Sequence, residues 1–181
     1  MKIVHPICCG MDIHKNIIVA TIATTDKNGI TTYSQQSFST MNSDVIKLRD
    51  WLLQNNCKKA CMESTGKYWI PIWNILESEI ELTLAHPKYT KAIKGKKTDK
   101  KDSKWIADLF KHDLVPNSFI PPKDIRMLRD LSRYRYKLTY IKVSEKNRIQ
   151  NCMTMSNIRI DSVLTDPFGK SARNIMNDVL N

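Results

Sequence analysis

The chain has no C-x-x-C pair, no Walker loop, no G-x-G-x-x-G and no serine-hydrolase elbow. Those absences set aside the common zinc clusters, phosphate-cradling loops and nucleophile-elbow hydrolases. Its longest apolar runs fall well short of a membrane span and no signal peptide opens it, so neither a spanning helix nor an export leader is expected. Internal repeats are lacking too. Five cysteines (Cys8, Cys9, Cys57, Cys61, Cys152) are an odd count for a disulfide framework. Cys8 and Cys9 sit in an apolar stretch, which makes reduced core thiols in a cytoplasm the expectation.

What the chain has is unevenly placed positive charge. Its 181 residues, 41% hydrophobic and 26% charged, suffice for one domain with a sizeable core and an appendage. The net charge is +11: residues 86–104 carry eight lysines against Asp99 and Asp102, a balance of +6, and residues 123–150 carry nine Lys or Arg against Asp124, Asp130 and Glu145, again +6. Everything else sums to −1. A merely solubilising surface would spread its charge, whereas two dense patches form a footprint for a polyanion such as DNA or RNA. Neither patch carries a Trp-rich amphipathic anchor, which argues against a membrane surface.

The order of elements follows from period and punctuation. Residues 3–13 read as a buried strand, 16–24 as a second, and 30–39 as a third, with Asp26-Lys27-Asn28-Gly29 as a hairpin turn. Asn42 or Ser43 is positioned to cap a helix whose Val45, Ile46, Leu48, Trp51, Leu52 and Leu53 give a broad core face. Residues 58–64 give a short strand, YWIPIWNILES a helix started or interrupted by Pro71, and 81–86 another strand. A Pro87-led turn and a lysine-rich loop lead to a helix capped by Asp102 or Ser103. This β-β-β-α-β-α-β-α order, a meander followed by parallel crossovers, predicts an α/β, ribonuclease H-like mixed sheet with flanking helices over residues 1–115. Pro116, Pro121 and Pro122 mark a linker. Residues 123–181 form a helical extension: a helix over about 123–152, an irregular stretch at 158–168, and a last helix after Gly169-Lys170-Ser171. Met127, Leu131, Tyr134, Leu138 and Ile141 follow the 4-3-4-3 spacing of a coiled-coil seam that Glu145 and Arg148 then break.

Four carboxylates stand out in this frame. Asp12 ends the first strand, Glu63 ends the adjacent parallel one, and Asp99 and Asp102 lie inside the basic run KGKKTDKKDSK. Carboxyl ends of parallel strands are where ligands collect. Acids that close repel unless a cation lies between them, and Mg²⁺ or Mn²⁺ takes hard carboxylate oxygens while lysines hold the phosphates it polarises. Two such ions about 3.5–4 Å apart serve phosphodiester chemistry. The plainer reading of each acid is a turn or cap residue; Glu63, at the end of an apolar strand, fits that reading worst. Lys94, Lys96, Lys97, Lys100, Lys101 and Lys104 are the nucleic-acid candidates of the first patch, and Arg133, Arg135 and Lys137, interleaved with Tyr134 and Tyr136, those of the second. His14 could touch phosphate but reads as a surface histidine, Ser64-Thr65-Gly66 could donate N–H groups or simply cap a helix, and Trp69 and Trp73 read as core more readily than as stacking residues.

GMDIHK (10–15), MESTGKYW (62–69), LAHPKYTKAIKGKKTDKKDSKWIADL (84–109) and LRDLSRYRYKLTYIKVSEKNRIQN (128–151) resemble the N-terminal half of the DEDD transposases, the bridge-RNA-associated insertion-sequence recombinases to which the pilin-gene invertase is related. The resemblance implies a RuvC-like domain with its Asp-Glu-Asp-Asp metal site on Asp12, Glu63, Asp99 and Asp102 and with Mg²⁺ or Mn²⁺ as cofactor. It further implies DNA and a structured guide RNA as partners, and a helical extension that binds RNA and joins copies into a homo-oligomer. The family continues into a domain carrying a serine nucleophile, and no serine here takes that role. A fragment not competent to recombine DNA alone, in the cytoplasm and on the nucleoid, is therefore the expectation. Two other readings stay open: a self-sufficient metal-dependent nuclease, and a non-catalytic nucleic-acid binder.

Overall fold

The computed structural model describes residues 2–63, 66–90 and 99–180, and the side chains of all of these except 99, 100 and 180. The chain separates into two compact units, Met1–Ile120 and Pro121–Asn181.

The first unit is built on five strands: β1 (Ile7–Ile13), β2 (Ile17–Thr25), β3 (Thr31–Ser39), β4 (Lys59–Glu63) and β5 (Glu81–Ala85). Their order across the sheet is β3-β2-β1-β4-β5. β1, β2 and β3 pair antiparallel through short turns, while β4 and β5 join parallel to β1 and to each other. This is the ribonuclease H-like arrangement expected from the sequence. β1 starts at Ile7 because Pro6, which has no N–H to donate, precedes it; the Pro6 carbonyl instead accepts from Thr25 N–H at 2.7 Å.

Alternation along the central strand divides the core in two. Cys9, Met11 and Ile13 point to the face covered by α1 (Asn42–Gln54) and α2 (Trp69–Leu76), where Val45, Leu48, Leu52, Ile72 and Leu76 are buried, while Ile46, expected on that face, turns out to solvent. Cys8 points to the other face, under α4 (Asp99–Lys111), and packs with Cys61, Ala85, Ile106, Ala107 and Phe110. Gly10 lies on that second face because α4 leaves no space for a side chain there. A Cβ on Gly10 would stand 2.3 Å from the Ala107 nitrogen and 2.4 Å from the Ser103 carbonyl oxygen. Four of the five cysteines are buried and all five are free; Cys152 is exposed. Between β5 and α4 lies the short helix α3 (Pro87–Thr90).

Several boundaries depart from sequence expectation. Met41, not Asn42 or Ser43, occupies the cap position of α1. Ser39 braces the entry to the helix instead: its Oγ accepts from Met41 N–H at 3.2 Å and donates to Asp44 at 2.6 Å. α4 opens at Asp99, so Asp102 and Ser103 lie within it and are not its caps. Pro71 is the third residue of α2, in the first turn, where its missing N–H costs no helical bond. Three helices end without glycine: Asn56, Asp113 and Asn157 take left-handed φ of 54°, 57° and 57°. Each closes the crossed pair of bonds of a Schellman ending, as in Cys57 N–H to Leu52 at 2.9 Å with Asn56 N–H to Leu53 at 3.0 Å.

The second unit contains α5 (Lys123–Met155), α6 (Ile160–Val163) and α7 (Lys170–Leu180). The stretch expected to be irregular therefore holds a single helical turn. α5 runs 33 residues, about 50 Å at 1.5 Å per residue, and Met153 is its one buried side chain. Met153 packs with Ile160 and Ala172, flanked by Ile158, Leu164 and Met176. No helix among the described residues is long and apolar enough to cross a membrane.

Candidate functional site

Asp12 stands one residue from the end of β1, on the same face as Cys8 and Gly10 and therefore on the α4 side. β1 and β4 pair with Met11 opposite Met62, so one step further Asp12 is level with Glu63. Glu63 shares its face with Cys61, again the α4 side. Two carboxylates thus occupy adjacent parallel strand ends, on strands about 4.8 Å apart, looking toward the same helix. Asp12 is 8% exposed, and its Oδ2 lies 3.3 Å from His14 Nε2. The tight turn that holds His14 is closed by its own N–H donating to Ile17 at 2.9 Å. Glu63 Oε2 accepts a hydrogen bond from Thr90 Oγ1 at 2.8 Å, and Thr90 is buried. These hydroxyl and imidazole partners hold the two acids in the orientation that the strands impose.

α4 delivers the other two acids. Its C-terminal end sits by the start of β1, where Val4 and His5 N–H donate to the Lys111 carbonyl at 2.9 and 3.1 Å and His5 stacks on Phe110 at 4.7 Å. Its middle crosses Gly10. The helix therefore runs antiparallel to β1, and its first turn, with Asp99 and the half-buried Asp102, lies toward the Asp12 end. Among the described residues no three His, Cys, Asp or Glu side chains gather closely enough to hold an ion, and the Asp99 side chain is outside that description. The structure thus pairs Asp12 with Glu63 and puts Asp102 on the approaching helix. The donors are hard carboxylate oxygens, the chemistry Mg²⁺ or Mn²⁺ takes.

The basic candidates divide similarly. Lys94, Lys96 and Lys97 lie outside the described residues, as do Ser64 and Thr65, and Lys100 is described in backbone only. Lys101 and Lys104 are exposed on α4. Lys104 Nζ lies over the Tyr33 ring, 4.0 Å from its centre. The Tyr33 hydroxyl donates to Asp108 at 2.6 Å, and Asp108 also pairs with the buried Lys111 at 3.0 Å. Burial, reinforced by Asp108, raises the Tyr33 phenol above its ordinary value. Arg133, Arg135 and Lys137 are exposed on α5, with Arg133 only 3.9 Å from Asp130, a surface pair of little energetic weight. Trp69 and Trp73 pack edge to face at 5.8 Å, as core side chains do. A separate cavity of about 550 Å³, lined by His5, Glu81, Phe110, Asp113 and Asn117 among others, lies away from the acids at the opening end of β5.

Sequence reasoning missed Thr90, Thr21, Gln35 and Ser103. Thr90 carries the one faint signal, three residues past Pro87 in a turn following a strand. Thr21 and Gln35 read as ordinary strand polars, and Ser103 as a cap.

A model of the DEDD transposase family, described as "Transposase", matches residues 9–158. Among solved structures, the RuvC of Thermus thermophilus aligns at TM-score 0.45 and 11% identity, over 60% of this chain and 93% of that one. A second structure of T. thermophilus RuvC, in complex with Holliday junction substrate, aligns at TM-score 0.42 and 8% identity over 60% and 93%. The Fowlpox virus resolvase in its Holliday junction DNA complex aligns at TM-score 0.44 and 12% identity, over 59% and 99%. No curated protein matches the sequence. With 150 consecutive residues of its 181 matched, this chain belongs to the DEDD transposase family of the IS110 type.

Proposed function

We propose that this chain supplies the metal-dependent, nucleic-acid-processing portion of a DEDD transposase. Asp12, Glu63, Asp99 and Asp102 would bind Mg²⁺ or Mn²⁺, and the lysines from Lys94 to Lys104 would hold the DNA backbone. The observation that carries this reading is the pairing of Asp12 with Glu63, level on neighbouring parallel strand ends and facing the helix that bears Asp99 and Asp102. When bound, a pair of divalent ions supplies activation of the attacking oxygen and stabilisation of the leaving one on a phosphodiester. The chain's own part is to fix the ligands. β1 and β4 present two carboxylates from rigid strands, and Thr90 and His14 orient their oxygens. The lysines of residues 94–104 offset phosphate charge.

On the second unit, Arg133, Arg135 and Lys137 with Tyr134 and Tyr136 form an exposed basic and aromatic surface suited to a structured guide RNA. The apolar seam on the same helix would pair copies into a homo-oligomer. Such a protein would work in the cytoplasm, on the nucleoid.

The test is thermal melting of the whole chain with and without metal. Mg²⁺ or Mn²⁺ should raise the melting temperature, and Glu63→Gln should remove the rise, because an ion bound only by the folded state stabilises it by mass action. A melting point unmoved by either ion overturns the metal reading. Cleavage of a DNA junction by the purified chain, lost in Asp12→Asn, would instead mark it as a self-sufficient nuclease.

A further inference from the structure

A single rung of the sheet ties α4 to the position it holds. Across that rung Gly10 of β1 stands opposite Thr21 of β2, and Thr21 opposite Gln35 of β3. α4 descends onto the rung at the one place where β1 has no side chain, and there Ser103 Oγ meets Thr21 Oγ1 at 2.8 Å. Gln35 Nε2, reaching in from the edge strand, donates to Thr21 Oγ1 at 2.7 Å and to Ser103 Oγ at 3.1 Å. Thr21 and Ser103 are 1% and 0% exposed, so two buried hydroxyls meet under α4, with the exposed Gln35 closing the triangle from the edge strand.

The geometry has a consequence for the acids. From Gly10 to Asp12 is two residues of strand, about 6.6 Å. From Ser103 back to Asp99 is one turn of helix, about 6 Å, in the same direction because helix and strand are antiparallel. The triangle therefore sets which helical residue comes level with Asp12. Apolar contacts such as Ile106 and Phe110 on the sheet are tolerant of small slides, whereas two hydroxyls and an amide with directional bonds are not. We propose that Thr21, Gln35 and Ser103 are positioning residues for the carboxylate site, fixing the longitudinal register of α4 and so the level at which its acid-bearing first turn comes to Asp12 and Glu63. The proposal rests on the metal reading given above.

The experiment measures Mn²⁺ affinity of the full chain by electron paramagnetic resonance or calorimetry, beside the melting temperature in chelator. Thr21→Val keeps shape and removes the hydroxyl, and should weaken Mn²⁺ binding about tenfold, the size typical of residues that orient metal ligands from behind. Thr21→Ser, which keeps the hydroxyl, should restore affinity to near that of the wild type. Gln35→Met changes an exposed residue of the edge strand, and should weaken binding about threefold with an almost unchanged melting temperature in chelator. If Thr21→Val and Gln35→Met bind Mn²⁺ as the wild type does while Asp12→Asn abolishes binding, the triangle is structural only and the positioning role is overturned. If Asp12→Asn leaves binding unchanged, the metal reading itself fails, and the positioning role with it.

Discussion

α4 and α5 both carry basic side chains and apolar residues at helical spacing, yet they are held in opposite ways. α4 buries Ser103, Ile106, Ala107 and Phe110 against the sheet, and its exposed side keeps Lys101 and Lys104. α5 leaves Met127, Leu131, Tyr134, Leu138 and Ile141 between 49% and 65% exposed. The difference lies in what each meets. α4 has a glycine beneath it and a hydroxyl triangle to set its place, so its backbone comes within van der Waals range of β1. Among the described residues the seam of α5 stays exposed along its length. Periodicity marked both helices; it cannot say whether an apolar stripe is covered by the same chain or held for another.

The largest effect expected along this comparison comes from one methyl group. Gly10→Ala puts a Cβ into two backbone atoms that cannot turn aside, so α4 must lift. Overpacking of this kind costs typically 1–3 kcal/mol and here, against backbone, about 4 kcal/mol. Removing a much larger side chain from the exposed seam, in Leu131→Ala, should change the stability of the monomer by under about 0.5 kcal/mol. Urea melts of the two variants check the pair. A Gly10→Ala protein as stable as the wild type would show that α4 does not sit as close as described.

Acid and strand positions were legible because they rest on local rules. Apolar runs ending at Asp12 and Glu63, bounded by turn residues, fix strand ends, and the order of elements fixes which strands are neighbours. The start of α4 was not legible, since Asp102 and Ser103 are good cap residues and nothing local shows that Ser103 prefers Thr21, 82 residues earlier in the chain. Nor was the role of Gly10, which depends on how near a helix comes from across the sheet. Thr90 on Glu63 and the Thr21–Gln35–Ser103 triangle were missed because they are long-range contacts between residue types that are common everywhere. The endings at Asn56, Asp113 and Asn157 were missed for a related reason: with five glycines in the chain, the usual sign of a left-handed stop was absent.

Alkaline pH should separate the two units next most strongly. Burial pushes Cys57 and Cys61 up to about 12, and burial with the nearby Cys57 does the same for Cys8; Cys9, fully enclosed, is raised as well. A thiol whose pKa is higher in the fold than in the unfolded chain stabilises the fold fully below the unfolded value of 9.0, and that contribution is lost as pH rises toward 12. Each such thiol should cost on the order of 1 kcal/mol at pH 10, so Cys8, Cys57 and Cys61 together should cost roughly a few kcal/mol. All of these lie in the sheet unit, whereas Cys152 of the second unit is exposed. Melting followed between pH 8 and pH 10.5 should therefore show the sheet losing stability first, with far-ultraviolet helix signal outlasting the strand signal. Cys57→Ala should flatten part of the dependence; a pH profile unaltered by that change would show the thiol is not held neutral by burial.

The smallest effect has the opposite sign and treats the two helices alike. α4 ends on Asp113 and α5 on Asn157, both left-handed at φ 57° and both closing Schellman bonds. A residue with a Cβ is strained in that region, less so for Asn and Asp than for others, while glycine adopts it freely but loses more backbone entropy on folding. The two terms nearly offset, leaving Asp113→Gly and Asn157→Gly each more stable by about 0.5 kcal/mol. The gain should be the same at the end of the docked helix and the exposed one, because the strain belongs to one residue's backbone and not to what the helix packs against. A gain at Asp113 with none at Asn157, measured by urea melts that follow each unit's own signal, would show that the ending of α5 is not held in the conformation described and that its exposed helix frays where α4 does not.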